Sequence, residues 1–157
     1  MRNLIREGIV SSVDAQKATA RVTFADRDGL VSAELPILQS ACLKNKFYSL
    51  VDVGDCVVCL MTPNSDDGSG FILGAHYSDK AAPPVDNPNV TRIKFSDGTT
   101  ISYNRAEHLL KIKSSGDLEI KCSGKIKLES EHLELKGGIV NLTGDVLING
   151  RRPEWNS

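Results

Sequence analysis

The chain has 157 residues and a mass of 17.0 kDa, with 19 Lys and Arg against 20 Asp and Glu for a net charge of −1. That length fits one ordinary domain or two small ones, and the charge balance argues against a nucleic-acid binder or a polybasic membrane-surface protein held by bulk electrostatics. Hydrophobic residues at 40% and charged residues at 25% are near the globular norm, but aromatics at 5% are sparse, so the core is expected to be aliphatic or shared with other chains. No apolar stretch approaches the length of a membrane-spanning helix. Residues 1–15 lack the apolar run and cleavage site of a secretory signal, so synthesis in the cytoplasm is expected.

Residues 1–80 read as short strands separated by turn chemistry, which predicts a small closed β-barrel. Residues 8–14 (GIVSSVD) form the opening strand. In residues 18–24 (ATARVTF), Ala20, Val22 and Phe24 alternate onto one face. Asp26-Arg27-Asp28-Gly29 is a tight turn with Gly29 free to take a positive φ. Residues 30–35 resume a strand that Pro36 ends or marks as an edge. Gly54 turns the chain into residues 55–61 (DCVVCLM), an almost continuous apolar run that predicts a strand buried on both sides. Residues 64–70 (NSDDGSG) form a polar loop, and residues 70–77 (GFILGAHY) the last strand of this half.

The cysteines are Cys42, Cys56, Cys59 and Cys122, with no spacing that suggests a disulfide framework. Cys56 and Cys59 form a C-x-x-C pair, but residues three apart on a strand point to opposite faces. No second pair and no histidine stands at ligand spacing, so buried strand cysteines are expected and no metal or redox site.

Residues 81–92 hold three of the six prolines and predict a linker leading into a second unit over residues 93–150, with a tail at 151–157. Ser96-Asp97-Gly98 is a hairpin turn between residues 90–95 and 99–103. After Arg105 an apolar–polar–apolar–polar repeat begins. Its apolar pairs are Leu110 and Ile112, Leu118 and Ile120, Ile126 and Leu128, Leu133 and Leu135, Val140 and Leu142, then Val146 and Ile148, at steps of 8, 8, 7, 7 and 6 residues. Gly116, Gly124, Gly138 and Gly144 stand two residues before the second, third, fifth and sixth copies. Strict alternation excludes a helix, and the regular turns predict stacked rungs in a solenoid-like or meander arrangement.

The first polar position of successive copies reads Lys111, Glu119, Lys127, Glu134, so signs alternate down the column as stacking requires. The second reads Lys113, Lys121, Glu129, Lys136 and is less regular. The last two copies are uncharged, carrying Asn141, Thr143, Leu147 and Asn149. Two apolar residues per rung cannot enclose a core within one chain, and a lone meander would expose an aggregation-prone edge. Three chains wrapped as a prism, each supplying one face, resolve this and place the twelve paired apolar residues on a common axis. Six rungs at about 4.8 Å give a shaft of roughly 30 Å.

In its ordered motifs the chain resembles the phage baseplate assembly protein V family, the central tail spikes of contractile-tailed phages. The residues that carry the resemblance are Gly8 through Asp14, Arg21-Val22-Thr23-Phe24 with the Asp26–Gly29 turn, Leu35-Pro36-Ile37-Leu38, Val53-Gly54-Asp55, Ile72-Leu73-Gly74-Ala75-His76-Tyr77, Pro83-Pro84 and Phe95-Ser96-Asp97-Gly98-Thr99. The resemblance implies an all-β chain with an N-terminal OB-type barrel and a C-terminal trimeric β-helical spike, an intertwined β-prism. It implies a structural, non-enzymatic role in the virion: a homotrimeric needle that caps the tail tube and pierces the host envelope on sheath contraction. Tail hub and tube proteins, and transiently the host outer membrane, are the implied partners, with no nucleic acid.

One family feature is missing. Members commonly end in a His-x-His motif that binds iron at the apex, whereas this chain ends Arg151-Arg152-Pro153-Glu154-Trp155-Asn156-Ser157, so no iron and no other cofactor is expected. Arg151, Arg152 and Trp155 are candidates for docking a separate tip protein. His76, His108 and His132 stand isolated. An enzyme is not expected: the adjacent acidic pair of the barrel half, Asp66 and Asp67, lies in a Gly/Ser-rich loop, and no nucleophile, zinc or phosphate-loop motif is present. The competing function is an OB-type module binding oligonucleotide or oligosaccharide through Phe47 and Tyr48 beside Lys44 and Lys46, with Phe47 expected in the core.

Overall fold

The computed structural model describes residues 4–63, 68–149 and 151. The chain is all-β, built on two antiparallel sheets, and divides into two compact units, Met1–Ser115 and Gly116–Ser157. The first sheet contains β1 (Ile5–Asp14), β2 (Thr19–Phe24), β3 (Leu30–Val31), β4 (Leu35–Pro36), β5 (Cys56–Met61) and β6 (Gly70–Ala75). Its order is β3-β2-β1-β5-β6, with β4 also paired to β2. A parallel bridge joins Ile37 to Ile72, and Leu38 N–H donates to the Ile72 carbonyl at 3.1 Å, so the chain leaving β4 meets β6 at the far edge of the sheet.

The alternation in β2 holds: Ala20, Val22 and Phe24 are all buried. With Val10, Leu35, Ile37, Val57, Cys59, Met61 and Ile72 they form one core. Three sequence expectations are corrected. The opening strand begins at Ile5, not at Gly8, which lies mid-strand opposite Val57. Glycine is needed there because a Cβ would collide with Val22 and lie 2.8 Å from the Thr23 carbonyl oxygen, so β1 and β2 cross closely. Residues 30–35 do not form one strand. The ladder breaks after Val31, where Ser32 turns inward and its hydroxyl accepts a hydrogen bond from Val22 N–H at 3.0 Å. The third correction concerns β5, which is central but buried on one face: Val57, Cys59 and Met61 point inward, while Leu60 is 40% exposed.

Turns follow local chemistry. Asp14 Oδ1 accepts from the N–H groups of Gln16 and Lys17, and the β1–β2 loop closes with Ala18 at φ 53°. A short 3₁₀ turn over Ala25–Arg27 ends with Asp28 and Gly29 both at positive φ.

The second sheet is β7 (Val90–Lys94), β8 (Thr100–Asn104) and β9 (Leu109–Lys113), in that order. The Asp-Gly turn joins the first two strands, with Gly98 at φ 89°. The β8–β9 loop repeats the β1–β2 design: Asn104 Oδ1 accepts from the Ala106 and Glu107 N–H groups, and His108 takes φ 53°. The first copy of the repeat, Leu110 to Lys113, is therefore paired within its own chain as β9.

Ser32 supplies the acceptor for a buried strand N–H, so Ser32→Ala should destabilise the first sheet by about 1–3 kcal/mol. The expected readout in urea is a lower midpoint at unchanged slope. Ala18 pays for its left-handed backbone, so Ala18→Gly should raise stability by up to about 1 kcal/mol in the same titration.

Candidate functional site

Beyond β9 the chain changes character. None of residues 114–147 pairs into a ladder. The backbone instead runs in nearly straight stretches that bend at residues 115–116, 123–124, 131, 138 and 144. Those bends fall at the copy boundaries, and Gly116, Gly124, Gly138 and Gly144 sit in them. Gly144 has φ 102°, but a Cβ at Gly116, Gly124 or Gly138 would meet nothing of its own chain within 4 Å. Successive copies do not pair with one another within this single chain.

The apolar positions of the repeat are accordingly open. Leu110, Ile112, Leu118, Ile120, Ile126, Leu128, Leu133, Leu135, Val140, Leu142 and Ile148 are between 52% and 71% exposed, and Val146 is half-buried. Cys122 shares the side of Leu118 and Ile120 by alternation and is exposed. On the polar side, charges pair along a copy: Lys121 Nζ lies 2.6 Å from Glu119 Oε1, and Lys127 pairs with Glu129. The first copy, with Lys111 and Lys113, has no such internal partner.

A hydrogen-bonded clip sets the point where the chain leaves β9. Asp97 Oδ1 accepts from Thr99 N–H at 2.9 Å. Its Oδ2 accepts from the hydroxyls of Thr99 at 2.9 Å and Ser115 at 2.7 Å, and Ser115 N–H donates to Thr99 Oγ1 at 3.2 Å. The hairpin turn thereby holds Ser115, the second residue beyond β9. The Thr99 N–H, then the Ser115 and Thr99 hydroxyls, hold the Asp97 carboxyl below its ordinary range.

The exposed side of the first sheet is also apolar in part. Ile5 pairs with Leu60 and Leu60 with Phe71, a row of three exposed side chains across β1, β5 and β6. A groove of about 330 Å³ beside it is lined by Leu4, Leu60, Met61, Thr62, Pro63 and Phe71. The sequence run hid this surface, because an uninterrupted apolar strand reads as buried on both sides.

Phe47 is corrected from core to surface. It is 62% exposed, beside exposed Tyr48 and Leu43. The loop carrying them is closed by Gln39, whose side chain donates to Ser49 O at 2.9 Å and accepts from Ser49 N–H at 3.2 Å. Tyr48 Oη donates to Ala15 O at 3.2 Å.

Of the remaining candidates, Arg151 is exposed and exchanges two backbone hydrogen bonds with Ile148 around Asn149 at φ 50°. The Asn-Gly pair at 149–150 was the sequence signal for that reversal. Arg152, Trp155, Asp66 and Asp67 lie outside the described residues. His76 Nδ1 lies 3.0 Å from the Tyr77 carbonyl, and the His132 carbonyl accepts from Ser130 Oγ. Among the described residues no three His, Cys, Asp or Glu side chains converge. Cys59 is buried, and burial pushes its thiol up to about 11.

The Asp97 clip has a defined pH window. Its folded carboxyl lies below the ordinary value of 3.8, so the contribution is complete above that value and is lost as pH falls through the folded one. Acid titration should therefore move the Ser115 amide resonance only below about pH 4, and Asp97→Asn should abolish the step. No family profile matches this chain, and no curated protein matches it in sequence.

Proposed function

We propose that this chain is the central spike of a contractile phage tail or tailocin: an OB-type barrel followed by a homotrimeric β-helical needle that caps the tail tube and is driven through the host envelope. One observation carries the reading. A repeat that bends at every copy boundary forms no ladder in its own chain beyond its first copy, and leaves its apolar row largely exposed. Each aliphatic side chain gains about 1.5–3 kcal/mol on full burial, so such a row is stable only when other strands cover it. Two apolar residues per copy are too few for a two-layer sandwich core and suit one face of a three-sided prism. Glycines that meet nothing in their own chain leave room at the corners for neighbouring chains.

The barrel supports the same reading. The order β3-β2-β1-β5-β6, with the parallel bridge from Ile37 to Ile72, fits a five-stranded OB-type Greek-key barrel in which β3 and β4 act as one broken strand. The Ile5–Leu60–Phe71 row would then face the hub or tube proteins of the baseplate. The role is mechanical, performed in the virion with energy from sheath contraction, and calls for neither catalytic residues nor a cofactor. Without a terminal His-x-His motif, a separate protein would cover the tip.

A second reading has one observation in its favour. Phe47 and Tyr48 are exposed beside Lys44 and Lys46, as an oligonucleotide-binding barrel requires. A salt-dependent mobility shift with single-stranded DNA, lost in Phe47→Ala, would select it.

Light scattering on the full chain should give a mass of three chains that persists in about 2 M salt, because the apolar contact is not screened. A monomer would overturn the spike. Thiol labelling provides an independent check: Cys42 should react quickly, whereas Cys122, on the side of Leu118 and Ile120, should be protected in the native protein. Ile120→Lys, placing three buried charges together, should shift the mass toward the monomer.

A further inference from the structure

The second sheet has a face that neither the barrel nor the apolar row accounts for. Register places Arg92, Ser102 and Lys111 in one line across β7, β8 and β9, and Lys94, Thr100 and Lys113 in the next. These lines lie two residues apart on each strand, so all six side chains share one face, while Ile93, Ile101 and Ile112 with Tyr103 and Leu110 occupy the other. The result is a rectangle of four cations, about 10 Å across the strands and about 7 Å along them, with two hydroxyls down the middle. Arg92 Nη1 lies 3.4 Å from Pro84 O, and no described carboxylate pairs with Lys94, Lys111 or Lys113. The nearest acids of the sheet lie in its turns, with Asp97 engaged by Thr99 and Ser115 and Glu107 in the β8–β9 loop. Residues 90–113 hold five Lys or Arg against two Asp or Glu, within a chain of net charge −1.

We propose that this face docks on a layer of phosphate-bearing lipid headgroups. Charge and shape select that occupant. The face is one side of an open three-stranded sheet, so it presents a surface rather than an enclosure for a small anion. It carries donors but no aromatic side chain, so it offers no platform for nucleobases. The copies that follow it, Glu119 with Lys121 and Lys127 with Glu129, already neutralise themselves, so the excess is confined to this sheet. Closely spaced cations beside hydroxyl donors match an array of phosphates, each lysine adding to the attraction while salt screens it. The inference concerns one sheet of a single chain and holds for any number of chains.

The test is flotation of the full-length protein with vesicles of phosphatidylcholine containing about one-third phosphatidylglycerol, against phosphatidylcholine alone. Binding is expected only with the anionic lipid, weakening steeply as salt rises. Each Lys→Gln change at Lys94, Lys111 and Lys113 should lower partitioning about fivefold. Lys44→Gln with Lys46→Gln, in the barrel loop, should leave it unchanged. Light scattering on each variant checks that the native mass is kept. Equal binding to both vesicles, or loss confined to the barrel-loop variant, would overturn the proposal. So would a change of mass in the sheet variant, which would assign the face to a contact between copies. Because the native mass and the vesicle partition are read separately, failure here leaves the spike reading intact, and a monomer leaves this one intact.

Discussion

A peptide backbone and a row of aliphatic side chains both demand partners, yet residues 114–147 form no ladder in their own chain and leave most of their apolar side chains exposed. Every N–H and C=O of a strand needs a hydrogen bond, and every leucine on an alternating face needs another apolar surface. Each copy, recurring every 6–8 residues, carries two apolar positions, so both demands recur along the whole segment. The rest of the molecule is arranged around that condition. The three-stranded sheet presents its own isoleucines and Leu110 on one face, and the Asp97 clip fixes where the chain leaves the ladder.

The six-stranded sheet obeys the opposite regime. Its core of Val10, Val22, Phe24, Leu35, Val57, Cys59 and Ile72 is closed within one chain. The details that look irregular keep it closed. Gly8 admits the close crossing of β1 and β2, and Ser32 replaces a missing strand partner for Val22. Low aromatic content fits both halves for different reasons. The core of the six-stranded sheet is small enough to be filled by aliphatic residues around Phe24, and the apolar positions of the repeat are all aliphatic.

Charge shows why net values mislead. A net charge of −1 speaks against bulk electrostatic attraction to membranes or nucleic acid, yet antiparallel pairing gathers Arg92, Lys94, Lys111 and Lys113 onto one face. Within the later copies the same residue types are neutralised by neighbours two positions away. Identical composition thus yields a basic plate in one sheet and self-compensated edges beyond it.

The sequence by itself determined whatever depends on period and on local backbone chemistry. Alternation specified the buried face of β2, the glycine register specified where the repeat bends, and Asp-Gly marked the turn between β7 and β8. Even the central difficulty, two apolar residues per copy with nothing to cover them, was legible from spacing. Tertiary structure decided what depends on which strand lies beside which. Only pairing shows that β5 buries one face, because an unbroken apolar run reads the same whether its second face meets a core or the Ile5–Leu60–Phe71 row. Phe47 was misplaced for a related reason: hydrophobicity names residues able to fill a core, while loop closure by Gln39 decides whether the chain carries them there. The basic face was hidden because Arg92 and Lys94 are separated in sequence from Lys111 and Lys113, and only the register of three strands brings them together.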